Sequence, residues 1–315
     1  VVAVRVVIVG ATAAGKSALA SAVADAVGGE IVNADAFQLY RGMDIGTAKP
    51  SRSEQARVPH HLLDVLDIPE RSTVADYQRR ALHVLDDLAA RGTPAVFVGG
   101  SALYVRAVLD RWDVPGTDDT LRARLEQELA QVGAPALHAR LAAVDPAAAA
   151  AILPSNGRRV VRALEVVALT GRPFRATLPP PLALAPDTVL LGLDMALPAL
   201  DARIEHRVAQ MWTAGLVAEV ESLLPQGLAD SPTASRALGY AQVLRMLAGD
   251  VDEETTQRDI VHATRRFARR QLSWFRKDPR VVWLSSGDPG ATVDAALAAL
   301  RDVSRQGRQG PAGER

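Results

Sequence analysis

The sequence contains no cysteine. That excludes disulfides, thiolate zinc sites and a cysteine nucleophile, and it agrees with a reducing compartment. Aromatic residues make up only 4% of the 315 residues, so valine, leucine and alanine must fill any interior, within a hydrophobic fraction of 48%. There is no net charge, with 36 basic against 36 acidic residues. Global charge therefore predicts no polyanionic partner, and one must be sought in local clustering. No apolar run approaches the ~20 residues of a membrane-spanning helix. The opening run, interrupted by Arg5, does not read as a signal peptide. The expectation is a soluble, cytoplasmic, monomeric protein with no membrane partner, of one large or two smaller domains.

What is present begins with Gly10-Ala11-Thr12-Ala13-Ala14-Gly15-Lys16-Ser17, which fits the phosphate-cradling pattern G-x-x-x-x-G-K-[ST]. The β-branched run Val6-Val7-Ile8-Val9 precedes it as a buried strand, and residues 17–27 follow as a helix stopped by Gly28-Gly29. The glycines let backbone N–H groups converge on one point, and the helix adds its positive end. Lys16 supplies a point charge, and the Ser17 hydroxyl is the expected Mg²⁺ ligand. The motif specifies a polyphosphate without saying which one, or what is transferred.

Residues 30–35 read as a short strand ending in Asp35, at the sheet edge where α/β proteins bind ligands. Residues 36–71 read as a mostly irregular loop, and a long loop inside a compact domain is usually functional. Adjacent His60 and His61 would face opposite ways on a strand, which argues against a shared metal. A helix over 73–91, a strand over 94–98 ending in Gly99-Gly100, and a helix over 101–109 continue a βαβ alternation. From 113 to 186 the pattern is helical only, closed by the stiff Pro179-Pro180-Pro181. Strand character returns at 189–194 and again at 281–284. The predicted fold is a P-loop NTPase-like α/β protein, with a doubly wound parallel sheet. Its core is discontinuous (1–112 and 187–303), with a helical insertion domain over 113–186 and a disordered tail over 304–315.

The basic residues are concentrated. Residues 258–280 hold eight of them against two acids. On a helix, Arg258, Arg265, Arg269 and Arg276 fall within about 40° of one another, while Ile260, Phe267 and Trp274 fall opposite, predicting an arginine stripe backed by a core face. Arg158, Arg159 and Arg162 form a second cluster. Guanidinium stripes suit phosphates, but composition does not separate a nucleic-acid backbone from a nucleotide's phosphates, or either from a solvated face. A small-molecule P-loop kinase with a basic lid remains open, as does a nucleotide-switched RNA-binding protein without catalysis.

Together these segments resemble the tRNA dimethylallyltransferase (tRNA isopentenyltransferase) family of bacterial type. The resemblance rests on the P-loop and on residues 33–49, 58–64, 75–77, 99–104, 158–165, 236–240 and 264–276, and it runs from about 4 to 285. It implies transfer of a dimethylallyl group from dimethylallyl diphosphate to N6 of adenine 37 in the anticodon loop of tRNA, with Mg²⁺. The P-loop, Gly10 to Ser17, would then hold the donor's diphosphate. By the same resemblance, Asp35 is the general base, Thr12 orients the donor's bridging oxygen, and Arg207, rather than Arg203, meets the diphosphate. The tRNA would be read by Asp35, Ala36, Phe37 and Gln38, by Ser101 and Arg124, and by Arg158, Arg159, Val160, Val161 and Arg162. Further contacts are implied at Arg236, Ala237, Leu238, Gly239, Tyr240 and Ala241, and at Arg269, Arg270, Gln271 and Arg276. Tyr240, Phe37 and Trp274 are candidate stacking aromatics, with Trp274 assigned to the core. The chain departs from the family pattern at Ala36 (usually serine), Ala11 (usually proline) and Arg266 (usually glutamine).

Overall fold

The computed structural model describes residues 5–185 and 188–308. Buried β-branched runs give β1 (Arg5–Gly10), β2 (Glu30–Asn33) and β4 (Ala95–Val98), with a two-residue β3 (His60–His61). Between them lie α1 (Lys16–Val27), α2 (Arg52–Arg57) and α3 (Val74–Ala90), followed by α4 (Ala102–Leu109). After a helical stretch, β5 (Thr188–Asp194) leads into α8 (Leu197–Thr213) and α9 (Leu216–Leu223). Then come α10 (Tyr240–Leu247), α11 (Glu253–Phe275), β6 (Val281–Ser285) and α12 (Pro289–Arg308).

The six strands form one sheet in the order β3-β2-β4-β1-β5-β6, and every pairing is parallel. All carboxyl ends therefore share one edge. From β1 the chain runs to β2 on one side. From β4 it crosses β1 to reach β5 on the other. The P-loop sits where these directions diverge, the place where open α/β sheets take ligands. Two elements inside the expected loop 36–71 were not anticipated. One is α2, whose Ser51 and Glu54 form a reciprocal capping box, a signal present in the sequence. The other is β3, a strand too short to show a period.

The chain divides into two compact units, one of Val1–Arg111 with Leu182–Arg315, the other of Trp112–Pro181. The first is re-entered at Leu182, ahead of the expected 187, because buried side chains hold the chain there. The Leu182 N–H donates to Asp110 Oδ1 at 3.3 Å, and its carbonyl accepts from Arg280 Nη1 at 2.7 Å. The second unit holds α5 (Asp119–Val144), broken at Gly133, with α6 (Pro146–Ala151) and α7 (Gly157–Thr170). Its own core joins Leu125, Leu137, Leu141, Val160, Val161 and Leu164. The expected tail at 304 is corrected in part, since α12 continues to Arg308. The remainder, 309–315, lies outside the described residues. Among the described residues no helix is long and apolar enough to cross a membrane.

The small core of the second unit makes each large side chain count. Leu141 is fully buried, so Leu141→Ala is expected to cost about 2–5 kcal/mol, read as a lower denaturation midpoint in urea.

Candidate functional site

The P-loop is built by backbone geometry. Gly10 has φ 144°, and a Cβ there would press on the carbonyl of Leu193. Ala13 and Gly15 also take positive φ, at 63° and 99°, which turns successive N–H groups to one side. No side chain caps α1 at Gly15, so its first-turn amides are free for an anion. Lys16, half-buried, curls its ammonium back to donate to Ala11 O at 2.7 Å. Burial pulls this ammonium down to about 8. The Asp35 carboxylate opposes the shift and the Arg207 guanidinium adds to it. These three charges thus share one electrostatic site.

Asp35 is fixed by its neighbours. Its N–H donates to Asn33 Oδ1 and its Oδ1 accepts from the Phe37 N–H, both at 2.9 Å. Asn33, buried, spends its amide on Asp35 O and Leu62 O, at 3.1 and 3.0 Å. The Tyr77 hydroxyl donates to Asn33 O at 2.8 Å, and its ring stacks on Tyr104 with centroids 4.1 Å apart. The second oxygen of Asp35 takes no hydrogen bond from any described residue.

Arg207 reaches in from α8. Its Nη1 lies 3.5 Å from Thr12 Oγ1 and its Nη2 donates to Thr47 O at 3.3 Å. Burial lowers its pKa and Asp35 raises it. Arg203, one turn earlier, is exposed, and its Nη1 stands 3.8 Å from where a Gly15 side chain would begin. Arg207 is the inner arginine and Arg203 the outer.

The loop after Asp35 is irregular but not loose. Glu219 accepts from the N–H groups of Asp44, Ile45 and Gly46 at 3.0, 2.7 and 3.2 Å, and from the Tyr240 hydroxyl. Lys49, only 2% exposed at its side chain, donates to Tyr40 O and pairs with Asp44 and Asp64 at 2.6 and 2.5 Å. Gln38 donates to Thr47 O and Ala48 O. Sequence reasoning matched 33–49 as a motif without assigning these holding roles, and it missed Glu219 entirely. Nothing around position 219 announces its three amide partners, which lie more than 170 positions earlier.

Several expected RNA contacts take other places. Tyr240 is fully buried with its hydroxyl on Glu219, which removes it as a stacking platform. Val160, Val161 and Ala237 are core residues. Gln271 is 5% exposed and points inward, to Thr12 N and Gly100 O. Arg162 is tied to Pro115 O, Gly116 O and Glu165. Arg159 donates to Ala176 O. Ser101, Ala36, Phe37, Gln38, Leu238 and Ala241 are partly exposed, and Arg124, Arg158 and Arg236 are exposed.

The stripe on α11 also differs from the helical wheel. Trp274, assigned to the core, is 43% exposed. The buried face is centred instead on Ile260, Ala268, Gln271, Leu272 and Phe275. Arg265 pairs with Glu205 and Asp201, and Arg269 with Asp201 at 2.8 Å. Arg276 pairs with Asp194 at 3.1 Å, and Arg258 lies 3.9 Å from Glu254. The exposed Arg266, Arg270 and Lys277 have no acidic partner among the described residues, and Trp274 lies beside them on the helix.

A cavity of about 470 Å³ opens elsewhere, lined by Val27, Pro94, Leu297, Leu300 and Arg301. It contains no P-loop residue, so convergent polar chemistry, not concavity, marks the site.

Comparison with known proteins places this geometry in context. A model of the IPP transferase family matches residues 38–278. The chain is 58% identical over 300 residues to the tRNA dimethylallyltransferase of Salinispora arenicola, covering 95% of this chain and 87% of that one. It is also 58% identical over 304 residues to that of Thermobifida fusca, covering 95% of each. Among solved structures it resembles the full-length tRNA isopentenylpyrophosphate transferase of Bacillus halodurans, at 36% identity and TM-score 0.70, over 98% of this chain and 97% of that one. A eukaryotic dimethylallyltransferase acting on tRNA shares the fold at 22% identity and TM-score 0.78, over 96% of this chain and 79% of that one.

The depressed Lys16 sets a pH dependence. The charged form binds anions, and it is lost as pH rises through about 8. Inorganic pyrophosphate titrated by calorimetry should bind about tenfold more weakly at pH 9 than at pH 7, and Lys16→Arg should flatten that limb.

Proposed function

From the premise that this chain belongs to the IPP transferase family, and is a prenyl-transferring enzyme of the tRNA dimethylallyltransferase type, we propose how its residues perform the transfer. The reaction moves a dimethylallyl group from dimethylallyl diphosphate to N6 of adenine 37 of tRNA. The observation that carries the reading is the pairing of an anion cradle with one carboxylate, Asp35, electrostatically joined to Lys16 and Arg207. A phosphoryl-transferring kinase reading is not favoured by the family.

Adenine N6 is a poor nucleophile because its lone pair is delocalised into the ring. Asp35, with one oxygen held by Phe37 N–H and the other open, accepts the N6 proton as the N6–C1 bond forms. The C1–O bond breaks, and its electron pair leaves with the diphosphate. Charge grows on the bridging oxygen, which Thr12 and Arg207 meet, while Lys16 and the loop amides hold the phosphates. The target base must leave the anticodon loop to reach Asp35.

The donor set suits Mg²⁺ in one particular way. Ser17 offers a hard hydroxyl at the exposed first turn of α1. Among the described residues no group of three or more His, Asp or Glu gathers to cage a metal. Ser17 would help hold an ion that enters with the diphosphate, and such an ion would supply positive charge to the leaving group. For RNA, we assign backbone contacts to Arg266 and Arg270 on α11 and to Lys277 in the turn just after it, with Trp274 as the stacking ring. Of the other arginines implied for tRNA, Arg124, Arg158 and Arg236 are exposed.

Two experiments test this. Incubation with an anticodon stem-loop, Mg²⁺ and dimethylallyl diphosphate, followed by mass analysis, should show one dimethylallyl addition. Asp35→Asn should lose at least about 100-fold in turnover with stem-loop affinity retained; wild-type turnover in that variant would dismiss the base assignment. In stem-loop binding against salt, Arg266→Ala with Arg270→Ala should lower the log–log slope by about 2. Arg265→Ala with Arg269→Ala should lower it less, and the reverse order would return the RNA face to the paired stripe.

A further inference from the structure

Gln271 is a buried amide with both ends used on the catalytic edge. Its Oε1 accepts the Thr12 N–H at 2.8 Å, and its Nε2 donates to Gly100 O at 2.9 Å. Thr12 belongs to the P-loop after β1, and Gly100 lies two residues past the end of β4, the neighbouring strand. One side chain from α11 therefore spans the crevice at the switch point of the sheet. The fit is close enough that a Cβ on Gly100 would overlap Gln271 Nε2. Gln271 alone obstructs that Cβ, its Cδ lying 3.1 Å away, and the nearest atom of any other residue is Gly10 O at an ordinary 3.5 Å.

We infer that Gln271 is a positioning residue for the transfer reaction, holding the Thr12 backbone so that the threonine hydroxyl faces Arg207, and not an RNA contact. This rests on the proposed function. The Thr12 N–H is taken by Gln271 and is therefore not offered to an anion. Fixing that amide fixes the Ala11–Thr12 peptide plane, one residue ahead of Ala13, which takes a positive φ in the curl of the loop. A loop released at Thr12 still offers the amides of α1 and Lys16 to phosphate. It no longer holds Thr12 Oγ1 at 3.5 Å from Arg207. The loss therefore falls on turnover more than on binding, since displacement of a positioned group by about 1 Å costs up to 100-fold.

The test uses the full-length enzyme with an anticodon stem-loop and dimethylallyl diphosphate. Gln271→Met keeps the packing volume and removes both hydrogen bonds. Gly100→Ala leaves the glutamine in place and pushes its amide away. Each is expected to lower kcat about 10-fold to 100-fold, with the stem-loop Kd within about twofold and a smaller change in donor KM. Measured beside Gln271→Ala alone, Gly100→Ala combined with Gln271→Ala should lose no further turnover, because the added Cβ then meets no amide. Hydrogen exchange at the Thr12 amide should accelerate in both single variants. Unchanged kcat in Gln271→Met, a loss confined to stem-loop affinity, or multiplicative losses in the double variant would each overturn the inference. Should Gln271→Met fail to fold, the kcat and exchange rate of Gly100→Ala decide the matter alone. If the wild-type protein adds no dimethylallyl group, the proposed function fails; if it does and the variants keep pace, only the role of Gln271 fails.

Discussion

Lys16 and Arg207 face a shared space with Asp35, and the surrounding core is arranged to hold them there. Burial and mutual repulsion penalise both cations. Fixed carbonyls answer part of that penalty, Ala11 O for Lys16 and Thr47 O for Arg207. Such dipoles help only if they cannot turn away. Each loop that carries one is accordingly pinned from behind. Gln271 holds the P-loop at Thr12, Glu219 holds the turn before Thr47, and Asn33 holds the turn at Asp35. The positive site and the neutral or acidic staples behind it form one arrangement.

This arrangement divides what was legible in the sequence from what was not. The P-loop and Asp35 could be found because their signals are consecutive residues, a buried run followed by a turn and a helix, or a run ending in an acid. The parallel sheet was legible for the same reason. The staples were not, because their meaning lies in partners far along the chain. Glu219 looks like any acid on an amphipathic helix until its three amide donors are seen. Gln271 did leave a trace. On the helical wheel it falls within about 40° of Ile260 and Phe267, and a polar residue on a core face requires a buried partner.

The α11 stripe failed for a related reason. Counting acids within 258–280 suggested unpaired arginines, yet Arg265, Arg269 and Arg276 find acids on α8 and at the end of β5. Charge pairing is a property of neighbouring elements, which a single helix cannot display. The face that stays unpaired, with Arg266, Arg270 and Lys277, is turned by about 100°. Trp274 moves with it, since the buried arc is set by Gln271, Leu272 and Phe275 reaching the sheet. Exposed single pairs such as Arg276–Asp194 contribute little on their own. Their effect is to lower the charge of one face and leave the other, proposed to meet RNA, the more positive.

The same helix then has two duties on opposite sides, and this bears on why a phosphate loop serves prenyl transfer. A P-loop recognises phosphates whatever they carry. In phosphoryl transfer the bond that breaks lies between phosphorus and oxygen, deep within the cradle. In the transfer proposed for this chain it lies between carbon and the bridging oxygen, at the mouth. The decisive groups are therefore those flanking the mouth, Thr12 and Arg207, and the placement of Thr12 depends on α11 through Gln271. A helix whose outer face is proposed to meet the RNA backbone, and whose inner face holds the P-loop at Thr12, would give both reactants a common frame. Relative error between base and donor is then limited by one rigid element instead of by several loops.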